Sequence, residues 1–251
     1  MTGIFYFSST GNSLYIAKEI QKSFGGDLLY IPGYSGCGDE YDRIIVVSPV
    51  YSWGLPSFVY DLLPKLNKTA AVDVVLNYGG MLGGADYFTC EYAKGLGLNL
   101  HGVYTVQMPE NFTLTFSTPG FYLRSQVKAM PKRVRALLNT LSREEPAFPK
   151  KKKTKAATYL KNKENWHLLS RDFSVTDACV LCRKCVELCP TQNISVRDGK
   201  IAFGDTCVAC IGCYHRCPQK AIRYKNKKKT DRYLNPLIAE EEIGKSQYSH
   251  K

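Results

Sequence analysis

Two cysteine blocks of identical spacing constrain this chain more than any other feature. Cys179-x2-Cys182-x2-Cys185-x3-Cys189-Pro190 is followed 28 residues later by Cys207-x2-Cys210-x2-Cys213-x3-Cys217-Pro218. The repeat runs on past the prolines, where Ile194 matches Ile222. Between the blocks, Arg197-Asp198-Gly199-Lys200 reads as a turn and 201–203 as a short strand. A duplicated unit of this size cannot bury a large apolar core, so its thiols must supply cross-links through a metal or an inorganic cluster. Eight of the ten cysteines lie here, and Cys37 and Cys90 stand alone. In a reducing compartment such crowding indicates metal or redox chemistry rather than disulfides. Zinc is the alternative metal, although structural zinc sites favour separated CxxC pairs.

The front of the chain has a different rhythm. Strand patterns at 3–7, 28–31, 43–50, 72–77 and 100–106 alternate with helical patterns at 12–24, 56–66 and 86–96. Leu14, Ala17, Ile20 and Phe24 mark one side of the first helix, and Ile44-Ile45-Val46-Val47 has the near-continuous apolar character of a strand covered on both faces. Such alternation predicts a parallel sheet with helices on both faces, and these sheets bind ligands beyond the carboxyl ends of their strands. Three loops fall there. Ser8-Ser9-Thr10-Gly11-Asn12-Ser13 precedes a helix and carries no cation, so its hydroxyl and N–H groups suit a phosphate. The second, 48–56, puts Tyr51 and Trp53 on a Pro/Gly frame, and the third, 77–84, has four glycines that permit close approach to a flat ligand. A long amphipathic helix is expected over 121–141, with Pro131 bending or interrupting it.

On those three loops, the first 110 or so residues resemble flavodoxins. The resemblance implies an α/β, doubly wound, parallel five-stranded sheet of strand order 2-1-3-4-5 that binds FMN. It implies that Ser8, Ser9, Thr10, Gly11, Asn12 and Ser13 hold the phosphate. Tyr51, Ser52, Trp53 and Gly54 would meet one side of the flavin, and Asn77, Tyr78, Gly79 and Gly80 the other. The segment 108–122, with Met108, Pro109, Asn111 and Phe112, departs from the short members of that family. It is open to two readings, a cap on the flavin or a structural corner.

Residues 174–224 resemble the bacterial two-cluster ferredoxins, in which the cysteine before proline ligates the other cluster. The resemblance implies a small α+β domain with two [4Fe-4S] clusters. One would be held by Cys179, Cys182, Cys185 and Cys217, the other by Cys207, Cys210, Cys213 and Cys189. Arg183-Lys184 precedes the third cysteine of the first block, where the second block has Gly212, so the first cluster is expected to be the easier to reduce. Taken together, the chain resembles flavodoxin–ferredoxin fusion proteins of anaerobes, with domains expected at 1–147 and 166–251 and a Lys-rich linker at 148–165.

The formal net charge is +12. It is uneven: residues 1–117 hold 6 Lys/Arg against 10 Asp/Glu, and residues 151–251 hold 21 against 10. A basic rear suits acidic redox partner proteins. The lysine runs at 148–165 and 225–229 lack the aromatic interleaving of a nucleic-acid platform and read as solvated connections. No run approaches the roughly 20 apolar residues of a membrane span, so a soluble cytoplasmic protein is expected. The chain has no GxSxG, HExxH, P-loop or dinucleotide fingerprint. The function expected is relay of low-potential electrons between the clusters, FMN and external redox proteins. The alternative is a ferredoxin-fed flavin reductase acting on a small organic substrate or quinone, for which Tyr51, Tyr78 and Asn111 are the candidate neighbours of the flavin. Enzyme or carrier is left open.

Overall fold

The computed structural model describes residues 1–115, 117–143, 145–225 and 231–248. Five strands, β1 (Thr2–Tyr6), β2 (Asp27–Tyr30), β3 (Arg43–Pro49), β4 (Ala71–Tyr78) and β5 (Leu100–Gln107), form one parallel sheet in the order β2-β1-β3-β4-β5. The helices between them are α1 (Asn12–Phe24), α2 (Ser57–Leu62), α3 (Ala85–Gly95) and, after β5, α4 (Gly120–Leu141). Strand periodicity divides the core in two. Phe5, Phe7, Ile44, Val46, Val72 and Val74 face one layer, whereas Ile4, Tyr6, Ile45, Val47 and Val75 face the other, with α1 and α4. Strand order reverses at β1, which has β2 on one side and β3 on the other. That switch point opens a crevice at the carboxyl ends of β1 and β3.

Helix α4 continues through Pro131 instead of breaking there. Proline deprives the helix of one N–H, but Met130, Val134, Leu137 and Leu141 form a buried stripe on both sides of it, and tertiary packing holds the turn. Both sheet edges are covered by single-residue bridges. Gln247 exchanges backbone hydrogen bonds with Leu28 of β2, and Ala147 pairs with β5 through Val103 N–H and His101 C=O.

The cysteine blocks lie among short elements: β6 (Phe173–Val175), α6 (Lys184–Glu187), β7 (Ile194–Arg197), β8 (Lys200–Phe203), α7 (Gly212–His215) and β9 (Ile222–Tyr224). β6 pairs with β9 and β7 with β8, both antiparallel. The repeat is visible in the backbone. Positive φ angles recur 28 residues apart at Leu181 and Ala209 (53° and 56°), Arg183 and Ile211 (60° and 50°), and Gln192 and Lys220 (53° and 49°). Non-glycine residues adopt this region at a cost, and here it wraps each loop around its thiols.

The lysine-rich stretch between the modules is a strap. Residues Ala156–Glu164 form α5, whose Tyr159 is fully buried against Tyr60 of α2 and Phe88 of α3 and donates its hydroxyl to Leu55 C=O at 2.9 Å. Its charges serve locally: Lys152 pairs with Asp86 at 2.5 Å, and Lys155 Nζ lies 4.2 Å from the Trp53 ring centroid. Of the second lysine run, 226–229 lies outside the described residues. Tyr159→Ala is expected to destabilise the protein by about 3–5 kcal/mol, the usual range for a buried aromatic. An unchanged urea midpoint would show that the strap is not part of the folded body.

Candidate functional site

The crevice at the switch point is a cavity of about 490 Å³. Its walls combine the three carboxyl-end loops with the segment after β5. Asn12, Ser52, Trp53, Asn77, Tyr78, Gly79 and Gly80 line it, joined by Pro49, Val50, Met81, Pro109, Glu110, Asn111 and Phe112. The other expected residues sit behind the wall. Ser8, Ser9, Thr10 and Ser13 are buried. Gly11 caps α1 in the left-handed region, and its N–H donates to Ser8 Oγ at 3.1 Å. The first-turn N–H groups of α1, from Asn12 onward, have no intrahelical acceptor and suit an anion.

Asparagines tie the loops together. Asn77 Nδ2 donates to Ser13 Oγ (2.9 Å) and Ser48 C=O (3.0 Å), linking the loops after β4, β1 and β3. Asn12 Nδ2 donates to Pro109 C=O at 3.0 Å, and Asn111 Nδ2 to Thr10 Oγ1 at 2.8 Å. Glu110, which motif reading missed, accepts N–H bonds from Gly80 (3.0 Å), Asn111 (2.9 Å) and Phe112 (2.8 Å). A side chain at position 79 would reach within 2.4 Å of Glu110 Oε2, so glycine there is a steric requirement. The segment after β5 is both wall and corner: it lines the crevice, while Leu114 is buried in the core of the cysteine module.

The two aromatics of the second loop part company. Ser52 and Trp53 both take positive φ (47° and 71°), which turns Trp53 into the crevice. Tyr51 points the other way and is absent from the cavity wall. Its hydroxyl lies 3.4 Å from Ser9 Oγ, and its ring meets Trp166 edge-on at 6.1 Å. Burial, followed by the nearby Cys210 thiol, raises the Tyr51 hydroxyl far above its ordinary range. Cys210 itself packs against the sheet's core.

The cysteines surround two cavities of equal size. Cys179, Cys182, Cys185 and Cys217 line one, with Val175, Ile201 and Ala221; Cys189, Cys207, Cys210 and Cys213 line the other, with Phe173, Ile194 and Phe203. Each set draws three thiols from one block and one from the other. All ten cysteines are free thiols. Among the described residues, no three His, Cys, Asp or Glu side chains converge as a single-ion site would require. Backbone N–H groups reach sulfur at matching places: Asn193 to Cys189 Sγ and Ala221 to Cys217 Sγ, both 3.3 Å. Burial pushes the Cys210 thiol up to about 12 and that of Cys185 to about 11, and holds Cys213 well above the usual thiol range. Such thiolates need iron or another cation to stay charged. Four thiols around each apolar cavity, with N–H donors to sulfur, fit a four-iron cluster, in which each thiolate binds its own iron.

The cavities differ in setting. Cys182 is exposed, as are its neighbours Val180 (63%) and Leu181 (40%). Of the second cavity's lining, Cys210 packs on the sheet's core within electrostatic reach of Tyr51, and a Cβ on the nearby Gly212 would stand 3.4 Å from Ser9 Cβ. His215 strengthens that junction, with Nε2–H donating to Asn111 C=O at 2.7 Å and Nδ1 accepting the Tyr233 N–H at 3.1 Å. Burial lowers its pKa to about 4, in keeping with a neutral ring that serves both bonds. The C-terminal extension completes the contact. Tyr233 OH (2.7 Å) and Asn235 Nδ2 (3.1 Å) donate to Asn12 Oδ1, and Asn235 N–H to Thr10 C=O at 2.8 Å. No sequence signal marks Tyr233 or Asn235, which lie more than 200 residues from the loop they hold.

No family model matches the chain. Over 96 residues it is 31% identical to a flavodoxin of Haemophilus influenzae; the match covers 35% of this chain and 55% of that protein, so the chain spans about half the length of this curated relative. Among solved structures, the two-electron reduced flavodoxin of Megasphaera elsdenii is 26% identical, with 42% of this chain and 85% of that chain covered and a TM-score of 0.36. A variant of Fusobacterium nucleatum flavodoxin bound to flavin mononucleotide is 16% identical, with 55% and 92% covered and a TM-score of 0.39. Among the described residues no helix is long and apolar enough to cross a membrane.

Gly83, at φ 60°, holds Trp53 in place, because an added Cβ would stand 2.1 Å from Trp53 Cδ1. Gly83→Ala is expected to cost about 1–3 kcal/mol, the range for a non-glycine residue forced into the left-handed region, and to displace the indole. With Trp166→Phe as background, Trp53 is the remaining tryptophan. An unaltered emission spectrum on Gly83→Ala would contradict this.

Proposed function

We propose that the chain is an electron-transfer flavo-iron–sulfur protein that relays low-potential electrons among FMN, two [4Fe-4S] clusters and external redox proteins. The observation that carries this reading is the junction at which the second cysteine block, through Cys210 and Gly212, packs beside the sheet's core, Ser9 and Tyr51 of the crevice loops. A flavin exchanges electrons singly or in pairs and a four-iron cluster exchanges them singly, so a protein holding both connects one-electron partners to two-electron chemistry.

The residues have separate tasks in this reading. Ser8, Ser9, Thr10, Gly11, Asn12 and Ser13 hold the phosphate with hydroxyl and N–H groups, and Asn77 keeps their loop in register with the loops after β3 and β4. Trp53 supplies one wall for the ring, and Tyr78, Gly79 and Gly80 supply the other. Tyr51 packs at the junction, its ring edge-on to Phe7 and Trp166. The partial sequence match to a flavodoxin over the front of the chain supports FMN in the crevice. The exposed Cys182 edge, with Val180 and Leu181, supports exchange with an outside redox protein, and the basic rear half favours an acidic one. Division into an FMN module (1–147), a strap (148–165) and a cluster module (166–251) follows from what each part would bind, in a reducing cytoplasm.

Protein purified without oxygen is expected to contain one FMN and eight irons with eight sulfides per chain. A colourless preparation, free of iron and flavin after reconstitution, would overturn the reading. Cysteine→Ser variants test the pairing of the blocks. Cys189→Ser and Cys210→Ser should each lose the same cluster, judged by EPR of the one that remains, while Cys182→Ser and Cys217→Ser lose the other. Grouping of Cys189→Ser with Cys182→Ser would place each cluster within a single block and contradict the proposal.

A further inference from the structure

The basic pair beside the first cysteine block does not keep its charge free. Lys184 Nζ is 2.7 Å from Glu240 Oε1, and Arg216 Nε is 3.1 Å from the same oxygen, so one carboxylate of the C-terminal extension answers both. Arg183 is exposed, and its charge is screened by solvent. A further cation beside the cysteine blocks, Arg232, has no ion pair among the described residues. Its guanidinium carbon lies 3.4 Å from the centroid of the Tyr214 ring, one residue from Cys213. Nη2 donates to Ile222 C=O (2.6 Å) and Lys220 C=O (3.3 Å), the residues flanking Ala221, whose N–H reaches Cys217 Sγ. Nε and Nη1 are buried with no partner, and among the described residues no carboxylate pairs with the group. The Cys217 and Cys213 thiols, one from each cavity, lie within its electrostatic reach.

A half-buried arginine with two guanidinium nitrogens cut off from water and left without acceptors is costly unless negative charge lies nearby. We propose that Arg232 is the charge-compensating residue of the two cysteine cavities, and that it raises the potential of both clusters, more so for the one held by Cys217. The inference rests on the iron–sulfur reading above. In the step concerned, an external one-electron donor gives up one electron and a cluster gains one negative charge; no bond forms or breaks. A fixed cation in a low-dielectric surround favours that gain. The cation arrives on the segment that also brings Tyr233 and Asn235 to the crevice, so docking of the extension tunes the clusters as it closes the flavin loop.

The test is EPR-monitored redox titration of full-length, anaerobically purified protein, with iron and sulfide assayed on every sample. Arg232→Gln is expected to move both midpoints to more negative values, with the larger shift at the cluster assigned by the cysteine variants to Cys217. Arg232→Lys, which keeps the charge, is expected to retain the parent midpoints. Unchanged midpoints in Arg232→Gln with full iron content would overturn the inference. Should Arg232→Gln fail to hold its clusters, Arg232→Lys decides. Parent midpoints there support the charge role, and a negative shift of either cluster despite the retained charge refutes it. Absence of iron from the unsubstituted protein would instead remove the underlying reading.

Discussion

The structure depends on a part-buried contact between a serine and a tyrosine, set beside a cysteine that packs on the sheet's core. Ser9 follows β1 and Tyr51 follows β3, and the reversal of strand order at β1 makes those loops neighbours. Tyr51, half-buried, turns its hydroxyl to Ser9, and a Cβ on Gly212 of the second cysteine block would stand 3.4 Å from Ser9 Cβ, so that block lies beside the loop after β1. Electron exchange slackens steeply with distance and with intervening water. A packed aromatic junction therefore has a use that a flexible tether between two independent domains would not supply.

Two segments with no recognisable motif turn this contact into a clamp. The strap enters beside the glycine loop: Lys155 N–H bonds Gly83 C=O, and Tyr159 fills the space over Gly54, where an added Cβ would stand 2.4 Å from the tyrosine ring. The C-terminal extension meets the phosphate-type loop at Asn235 and pairs with β2 at Gln247. Along the way Glu242 meets Lys18 of α1 at 2.5 Å and Tyr6 OH donates to Lys245 C=O at 2.8 Å. The cysteine module is thus held on the sheet by chain on both sides. Such a body limits the motion between the two halves without needing a large apolar interface.

Much of this was legible in the residues themselves. Alternating strand and helix patterns led to the parallel sheet, because apolar periodicity responds to burial, which is the property that forms those elements; its order came from the resemblance to flavodoxins. The cysteine spacing marked a duplicated cross-linked unit, and the resemblance to two-cluster ferredoxins implied the two mixed sets of four. What escaped was set by tertiary context. Pro131 reads locally as a break, yet the stripe around it is buried. Lys184 reads as a free charge until Glu240, 56 positions away, meets it. Tyr51 and Trp53 look equivalent in a Pro/Gly frame, and only the backbone turn at Ser52 sends them to opposite sides. Glu110 and Arg232 carry no pattern, because their roles come from the groups around them.

The central claim is that the flavin-type crevice and the cysteine cavities form one redox unit. Flash reduction of the oxygen-free holoprotein by a one-electron photodonor tests it directly, with flavin and cluster absorbance followed in time. The account predicts a redistribution of electrons between the two chromophores at a first-order rate independent of protein concentration. A rate that scales with concentration, or chromophores that never exchange, would contradict it.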